Sequence, residues 1–211
     1  SSGKKNKMQV TKVEALTKTK WKVELDGQFA FVLYKKEISR FGIEVNGELS
    51  EELYEQIKKN VVLKRAKLRA MHLLTDMART ESQLRDKLKR NMYPEDVISQ
   101  TIAYVKSFGY INDEAYIENF IQSKRETKSR KEIYALLLGK GVSSEQIDLV
   151  FEQCYEKNTE QEAISRLIRK RNVDILHASE QELHKLYGYL ARKGFQYDDI
   201  RQVIQNYKDN A

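Results

Sequence analysis

The feature that most constrains the fold of this chain is a helix-start pattern that recurs three times, at intervals of 49 and 50 residues. At each place a Ser or Thr is followed three residues later by a Glu or Gln. This is the capping box, in which the two side chains satisfy backbone N–H groups that the first helical turn leaves unpaired. An apolar residue comes next each time, which predicts an amphipathic helix. The three boxes are Thr80/Gln83, Ser129/Glu132 and Ser179/Glu182, followed by Leu84, Ile133 and Leu183.

Each of these three helices is predicted to end in a similar way, with a cation, a residue that tolerates the left-handed conformation, and an apolar residue. Gly and Asn accept that conformation at a helix C-terminus, and the cation faces the negative end of the helix dipole. A further helix follows each ending, and Pro94 is expected at the first helical position of the earliest one. The endings are Arg90-Asn91-Met92, Lys140-Gly141-Val142 and Lys193-Gly194-Phe195, and the helices after them share Val97, Ile147 and Ile200 in equivalent places.

Another helix precedes each box, so the repeated module has three helices over about 50 residues, a length typical of helical arrays. The middle helix of the third module is expected to be about one turn longer than the others, because Ser179 to Gly194 exceeds Thr80 to Asn91.

The first third of the chain instead shows the two-residue periodicity of strands. Residues 21–25 and 28–34 alternate between apolar and polar side chains, and Asp26-Gly27 separates them. A two-residue link of this type predicts a β-hairpin, since its turn requires positive φ at both positions. A third strand is predicted from Met8 to Leu16, and Ser50 is expected to cap a helix.

The predicted fold class is therefore mainly α: three tandem three-helix repeats preceded by a small N-terminal β-rich segment. In the first residues, Ser1-Ser2-Gly3 resembles the remnant of an expression tag. The predicted divisions are a disordered start at 1–7, a hairpin-containing segment at 8–60, and helical repeats at 61–111, 112–157 and 158–211.

Composition narrows the class of protein. A formal net charge of +7 favours an acidic partner such as a nucleic acid or a nucleoprotein, although a basic surface alone would also explain it. Cys154 is the single cysteine, which excludes an internal disulfide and predicts a reducing, cytoplasmic setting. No apolar run approaches the roughly 20 residues of a membrane helix.

The charge also alternates along the repeats. Residues 63–90 hold nine Lys and Arg against three acids, whereas 91–122 hold one against five. The alternation recurs, with six against two at 123–140 and one against six at 141–162. Residues 163–173 carry four cations and no acid. A basic ridge that meets phosphates or an acidic protein is one interpretation, and ordinary solvated helix faces are the other.

No catalytic or metal-binding motif is found: the chain lacks a Gly-rich phosphate loop, a His-Glu-x-x-His and a Cys-x-x-Cys. No cofactor, metal or catalytic residue is therefore predicted, and the chain is not expected to be an enzyme. Cys154 falls in an apolar helical rhythm and is predicted to be partly buried. The tyrosines that occupy apolar helical positions are expected in the core, among them Tyr104, Tyr134, Tyr155 and Tyr187.

Three segments carry a family resemblance. The first is Leu73-Leu74 followed by Ala78-Arg79-Thr80-Glu81 with Leu84 and Leu88. The second is Phe108-Gly109-Tyr110-Ile111-Asn112-Asp113, and the third is Leu138-Gly139-Lys140-Gly141-Val142. In order and spacing, these segments resemble the signature of the RecX family of bacterial recombinase regulators. The likeness spans about residues 61–211. The chain departs from that pattern at Asn91, where Gly is usual, and in the loop Glu126-Thr127-Lys128-Ser129.

The resemblance implies a cytoplasmic negative modulator of the recombinase RecA in homologous recombination and DNA repair. Such proteins bind the RecA filament on single-stranded DNA, lie in its groove, and restrain filament growth, ATP hydrolysis and strand exchange. We expect a monomer with no membrane association, and single- or double-stranded DNA remains open as a further partner.

From the charge pattern, and not from the resemblance, we predict which side chains dock the partner. The alternative function is that of a helical-repeat protein that binds nucleic acid without sequence preference. The predicted docking residues are Lys87, Lys89, Arg90, Arg125, Lys128, Arg130, Lys131, Arg166, Arg169, Lys170, Arg171, Arg192 and Lys193.

Overall fold

The computed structural model describes residues 6–156 and 159–211. The chain forms two compact units that divide between Ile111 and Asn112. The segment that resembles a tag remnant lies outside the described residues, and of the start expected to be disordered only Asn6 and Lys7 are described. Lys7 already belongs to a strand.

The first unit begins with a four-stranded antiparallel sheet of order β3-β2-β1-β4. Asp26 and Gly27 take φ values of 50° and 78°, which confirms the hairpin turn. The edge strand β4 has only three residues, too few for a periodic pattern to reveal. The strands are β1 Lys7–Ala15, β2 Lys20–Leu25, β3 Gln28–Tyr34 and β4 Glu48–Ser50.

Helix α1 (Lys35–Arg40) follows β3, and helix α2 (Glu51–Ile57) follows β4. The Ser50 hydroxyl accepts a hydrogen bond from the Leu53 N–H at 3.2 Å, as predicted for an N-cap. Beyond α2 the chain does not break, because a π-helical segment at Lys58–Leu63 leads directly into the next helix. Ile57 and Val62 are five residues apart and both are buried in the core beneath the sheet. The wider turn of the π-helix accounts for this, because it brings side chains five residues apart onto the same face.

The three-helix repeats are present, and the predicted fold class is confirmed. Each repeat has its own apolar cluster. The equivalent residues Val97, Ile147 and Ile200 are all buried. The helices are α3 Lys64–Asp76, α4 Glu81–Arg90 and α5 Glu95–Ser107 in repeat 1; α6 Asp113–Lys124, α7 Arg130–Gly139 and α8 Ser144–Cys154 in repeat 2; α9 Thr159–Lys170, α10 Glu180–Arg192 and α11 Tyr197–Asp209 in repeat 3.

The middle helix is one turn longer in repeat 3, as predicted, with 13 residues in α10 against 10 in α4 and in α7. The capping box forms in both directions at Thr80/Gln83. At Ser129 and Ser179 the hydroxyl accepts from the amide three residues later. A further box at Ser143/Gln146 starts α8 and was not predicted.

The predicted ending of α4 was wrong by one residue. Asn91 has a negative φ of −79°, and the left-handed position is taken by Met92 at 62°. The Tyr93 N–H then bonds to the Leu88 carbonyl at 3.2 Å, as Phe195 bonds to Leu190 in repeat 3. Tyr93 packs against the clusters of both the sheet and repeat 1, so it supplies the closing apolar contact.

Pro94 consequently lies at the N-cap of α5 and not at its first helical position. In the second and third repeats the left-handed residues are Gly141 and Gly194, as predicted.

Candidate partner-binding surface

In the first unit the predicted docking residues Lys87, Lys89 and Arg90 occupy the last turn of α4. Cations are favourable there because the helix dipole places partial negative charge at its C-terminus. Lys89 and Arg90 are exposed, whereas Lys87 is half-buried. These three side chains form one basic helix end within this unit.

In the second unit, a run of predicted cations connects α6 to α7. Arg125 is the C-cap of α6, and the Lys128 ammonium lies 3.2 Å from Glu132 Oε1. The Arg130 guanidinium lies over the Phe151 ring, 4.7 Å from its centroid. Lys128 and Arg130 thus have partners within the chain, and Arg130 and Lys131 are both exposed.

Ser129, in the middle of this run, joins the start of α7 to the end of α10. Its hydroxyl accepts from the Glu132 N–H at 3.0 Å and donates to the Lys193 carbonyl at 2.8 Å. Gly194 follows there with φ +96°, and a Cβ at that residue would lie 2.7 Å from Ser129 Oγ and 3.4 Å from Lys131 Cβ. The close approach brings Lys131 next to the Lys193 segment, although the two are 62 residues apart in the chain.

Glu160 on α9 also caps α7. Its Oε1 accepts from the Arg130 backbone N–H and from the Tyr155 hydroxyl, the latter at 2.7 Å. Burial raises the pKa of Glu160 above its ordinary value, and burial together with the bond to Glu160 raises the pKa of Tyr155. An acid at a helix N-terminus is stabilised by the dipole, so Glu160 has a structural role that its place in the sequence did not reveal.

The cations at the end of α9 divide into two groups. Arg166 pairs with Glu126 at 2.5 Å, and Arg171 lies over the Tyr189 ring at 4.0 Å from its centroid. Lys193 approaches the same ring at 5.4 Å. Arg166 and Arg171 are nevertheless exposed, as are Arg169, Lys170 and, on α10, Arg192, for which no ion pair or ring contact is found among the described residues.

The structure thus separates cations that have an acid or a ring as a partner within the chain from exposed cations for which no such partner is found among the described residues. The first kind includes Lys128, Arg130, Arg166, Arg171 and Lys193. Sequence reasoning missed the partners that hold them, because Glu126, Phe151 and Tyr189 come close only through tertiary packing. The exposed cations without such a partner among the described residues are Lys89, Arg90, Lys131, Arg169, Lys170 and Arg192.

One aromatic prediction is wrong. Tyr104 was expected in the core, but it lies at the surface beside Phe108 and Tyr110. Tyr134 and Tyr155 are half-buried against the cluster of repeat 2, and Tyr187 against that of repeat 3. Tyr104 faces outward because its neighbours Ile102 and Val105 take the buried positions of α5.

Within residues 6–156 and 159–211, no group of three or more His, Cys, Asp or Glu side chains is placed to hold a metal ion. Nor is any helix of this part long and apolar enough to cross a membrane. The fold and its exposed basic positions define a protein of the tandem three-helix-repeat class.

Comparison with known proteins identifies the family. Residues 66–104 match the model of the first three-helix domain of RecX, and residues 158–204 match that of the third. Regulatory protein RecX of Caldanaerobacter subterraneus subsp. tengcongensis is 33% identical over 199 residues, which cover 93% of this chain and 98% of that protein. The chain belongs to the RecX family of regulatory proteins.

Two further relatives support the same family assignment. Regulatory protein RecX of Clostridium beijerinckii is 29% identical over 203 residues, covering 93% of this chain and 94% of that protein. The crystal structure of RecX from Lactobacillus salivarius superposes with a TM-score of 0.62 at 27% identity, covering 69% of this chain and 96% of that one.

Proposed function

We propose that this chain binds the filament that RecA forms on single-stranded DNA and restrains its growth, its ATP hydrolysis and strand exchange. It acts by binding and has no catalytic activity of its own. Membership of a family whose relatives are named as regulatory proteins supports the regulatory role. The domain boundaries predicted between the repeats belong to the same proposal, with each repeat as one docking module.

The observation that carries the proposal is the recurrence of exposed cations at helix ends of the repeats. Lys89 and Arg90 end α4, Lys131 lies in the first turn of α7, and Arg169 and Lys170 end α9. A nucleoprotein filament presents phosphates and identical protomers at regular intervals. Several weak basic contacts along one chain then add to a strong attachment, because each later contact forms at a high effective concentration.

DNA-dependent ATP hydrolysis by RecA, measured with substoichiometric amounts of this chain, tests the function. We expect the hydrolysis rate to fall well before the chain equals the recombinase in concentration, because each bound chain restrains more than one protomer. An unchanged rate at every ratio would contradict the proposal.

Charge reversal tests the docking residues. The triple variant Arg169→Glu, Lys170→Glu and Arg192→Glu should inhibit hydrolysis at least about tenfold more weakly, because repulsion replaces three attractive contacts. Its melting temperature should stay within a few degrees, since exposed charges contribute little to stability.

A matched control makes the same change of charge at exposed lysines of the sheet segment. The variant with Glu at Lys18, Lys20 and Lys36 should inhibit almost as well as the unmodified chain. Equal loss in both triple variants would mean that net charge alone matters, and no loss in either would remove these docking residues from the proposal.

The second candidate function is binding of nucleic acid without sequence preference, which the net charge of +7 favours. It predicts tight association with naked DNA and a steep fall of affinity with salt. Regulation through the filament instead requires an effect on RecA at concentrations where naked DNA is hardly bound. A titration of DNA without RecA, compared with the hydrolysis assay, separates the two.

A further inference from the structure

Three aromatic rings lie together on the surface at the end of α5 and in the turn beyond it. Tyr104, Phe108 and Tyr110 are 36%, 56% and 51% exposed. Tyr104 meets Phe108 edge to face with centroids 5.1 Å apart, and Phe108 stacks on Tyr110 at 5.6 Å with 22° between the ring planes. Large rings left in water as a group indicate a surface that another molecule covers.

The backbone holds these rings in place. Gly109 adopts φ +72°, its N–H donates to the Lys106 carbonyl at 2.9 Å, and the Tyr110 N–H donates to the Val105 carbonyl at 3.1 Å. This helix-ending motif lets Phe108 and Tyr110 stack although a glycine separates them. Because the rings are already ordered, they lose little conformational entropy when a ligand stacks on them.

A cation lies on the cluster as well. The Lys67 ammonium on α3 is 4.3 Å from the Tyr104 ring centroid, and Lys64 is exposed one turn earlier on the same helix. The other cations of α3 are engaged within the chain, Arg65 with Glu37 and Arg69 with Asn91. Lys64 makes no ion pair among the described residues and Lys67 meets only a ring, so neither ammonium group is paired with an acid of this part of the chain.

Two acids of the helices around the cluster are engaged with other cations. Glu81 is paired with Lys106 at 2.9 Å, and Asp76 with Arg79 at 3.9 Å. The acids of α5 stand in its first turn, eight or more residues before Tyr104. The cluster thus combines apolar rings with an ammonium group that lies over one of them.

We propose that Tyr104, Phe108 and Tyr110 form a stacking site for unpaired bases of single-stranded nucleic acid, with Lys64 and Lys67 contacting the adjacent phosphates. Ring faces combined with cations hold single strands independently of sequence, because every base has a face on which to stack. An apolar groove of a partner protein would also cover the rings, but it would leave the Lys64 and Lys67 ammonium groups without an anion. The basic helix ends described above are not part of this site.

The test measures binding of the full-length chain, without RecA, to a fluorescent oligothymidine of about 20 nucleotides and to a duplex of equal length. Phe108→Ala should weaken binding of the single strand about tenfold, because one base loses the ring on which it stacks. Duplex binding should change less than about twofold, since paired bases are not free to stack. Lys67→Gln should lower the salt slope for the single strand by about 0.7.

Tyr197→Ala is the matched control, because Tyr197 is also an exposed ring, 65% accessible, at the start of α11. It should leave binding of the single strand unchanged. A second readout is photo-crosslinking of an oligonucleotide that contains 5-iodouracil, which should map to residues 104–110 in the unmodified chain.

Unchanged single-strand affinity in Phe108→Ala would overturn the proposal, as would an equal loss for the duplex. If Phe108→Ala instead lost inhibition of RecA while it bound the oligothymidine normally, the rings would be a protein-docking surface. That result would also overturn base stacking but would leave the proposed function standing, so the two failures are distinguishable.

Discussion

At the scale of single residues, Gly194 occupies a position that tolerates no side chain. Its φ is +96°, where any L-residue is strained, and an added Cβ would lie 2.7 Å from Ser129 Oγ. We expect Gly194→Ala to lower the free energy of unfolding by about 2–4 kcal/mol, which combines backbone strain with the clash. Urea unfolding followed by circular dichroism measures the loss.

Two controls isolate these causes. Gly139→Ala, in the last turn of α7 with no atom within 4 Å of its Cβ, should be neutral or stabilising. In the double variant Ser129→Ala with Gly194→Ala, the clashing oxygen is absent. Its loss should therefore be smaller than the sum of the two single losses, and strict additivity would contradict the proposed contact.

Glu160 gives a second prediction at this scale. Its raised pKa means that the folded chain binds this proton more tightly than the unfolded chain does. This contribution to stability is therefore largest at low pH and declines as pH rises from the ordinary value of 4.5 through the raised pKa. Glu160→Gln keeps the Oε1 that accepts from Arg130 and Tyr155, so it should flatten this decline and change stability at pH 7 by less than about 1 kcal/mol.

Glu160→Ala should behave differently, because it leaves the Tyr155 hydroxyl without its acceptor. A loss of about 1–3 kcal/mol is expected at every pH. Thermal unfolding between pH 4 and pH 8 measures both variants, and identical pH profiles for Glu160→Gln and the unmodified chain would contradict the assignment.

At the scale of elements, the N-caps of α7 and α10 are a matched pair within one unit. Ser129 is buried and makes two hydrogen bonds, one of them to the Lys193 carbonyl, whereas Ser179 is exposed and caps only its own helix. Ser129→Ala should cost about 2 kcal/mol, and Ser179→Ala about 0.5–1 kcal/mol. Urea unfolding of both variants compares them, and equal losses would show that the bond to Lys193 adds nothing.

The helix starts were predictable because capping is local chemistry: the hydroxyl and its amide lie within one turn, so the sequence contains both partners. The ending of α4 was less predictable, since Asn91 and Met92 both follow the last cation and tertiary packing of Tyr93 decided the register. The π-helical segment was missed for a related reason. It depends on Ile57 and Val62 facing one core, a long-range requirement.

The docking residues also depend on long-range packing that the sequence does not reveal. Local charge located the basic helix ends but could not tell Arg166, which pairs with Glu126, from Arg169, for which no ion pair is found among the described residues. The aromatic cluster was missed because Tyr104 fits an apolar helical rhythm, while its surface position depends on how α5 packs.

At the scale of the whole molecule, the apolar clusters predict which parts of the chain fold alone. The clusters of repeats 2 and 3 consist of residues from Tyr116 onward. The sheet, in contrast, shares its core with Val62, Ala66 and Val97, so it is joined to repeat 1. The division between Ile111 and Asn112 follows from this arrangement.

Fragments of the chain test that inference. A fragment of residues 112–211 should unfold cooperatively with native helix content, because it contains both of its clusters. A fragment of residues 61–211 lacks the sheet and should expose Val62 and Val97, whose burial is worth about 1.5–3 kcal/mol each. Repeat 1 in that fragment should therefore lose amide protection in hydrogen exchange while 112–211 retains it. Equal protection of repeat 1 with and without the sheet would show that the shared core does not stabilise it.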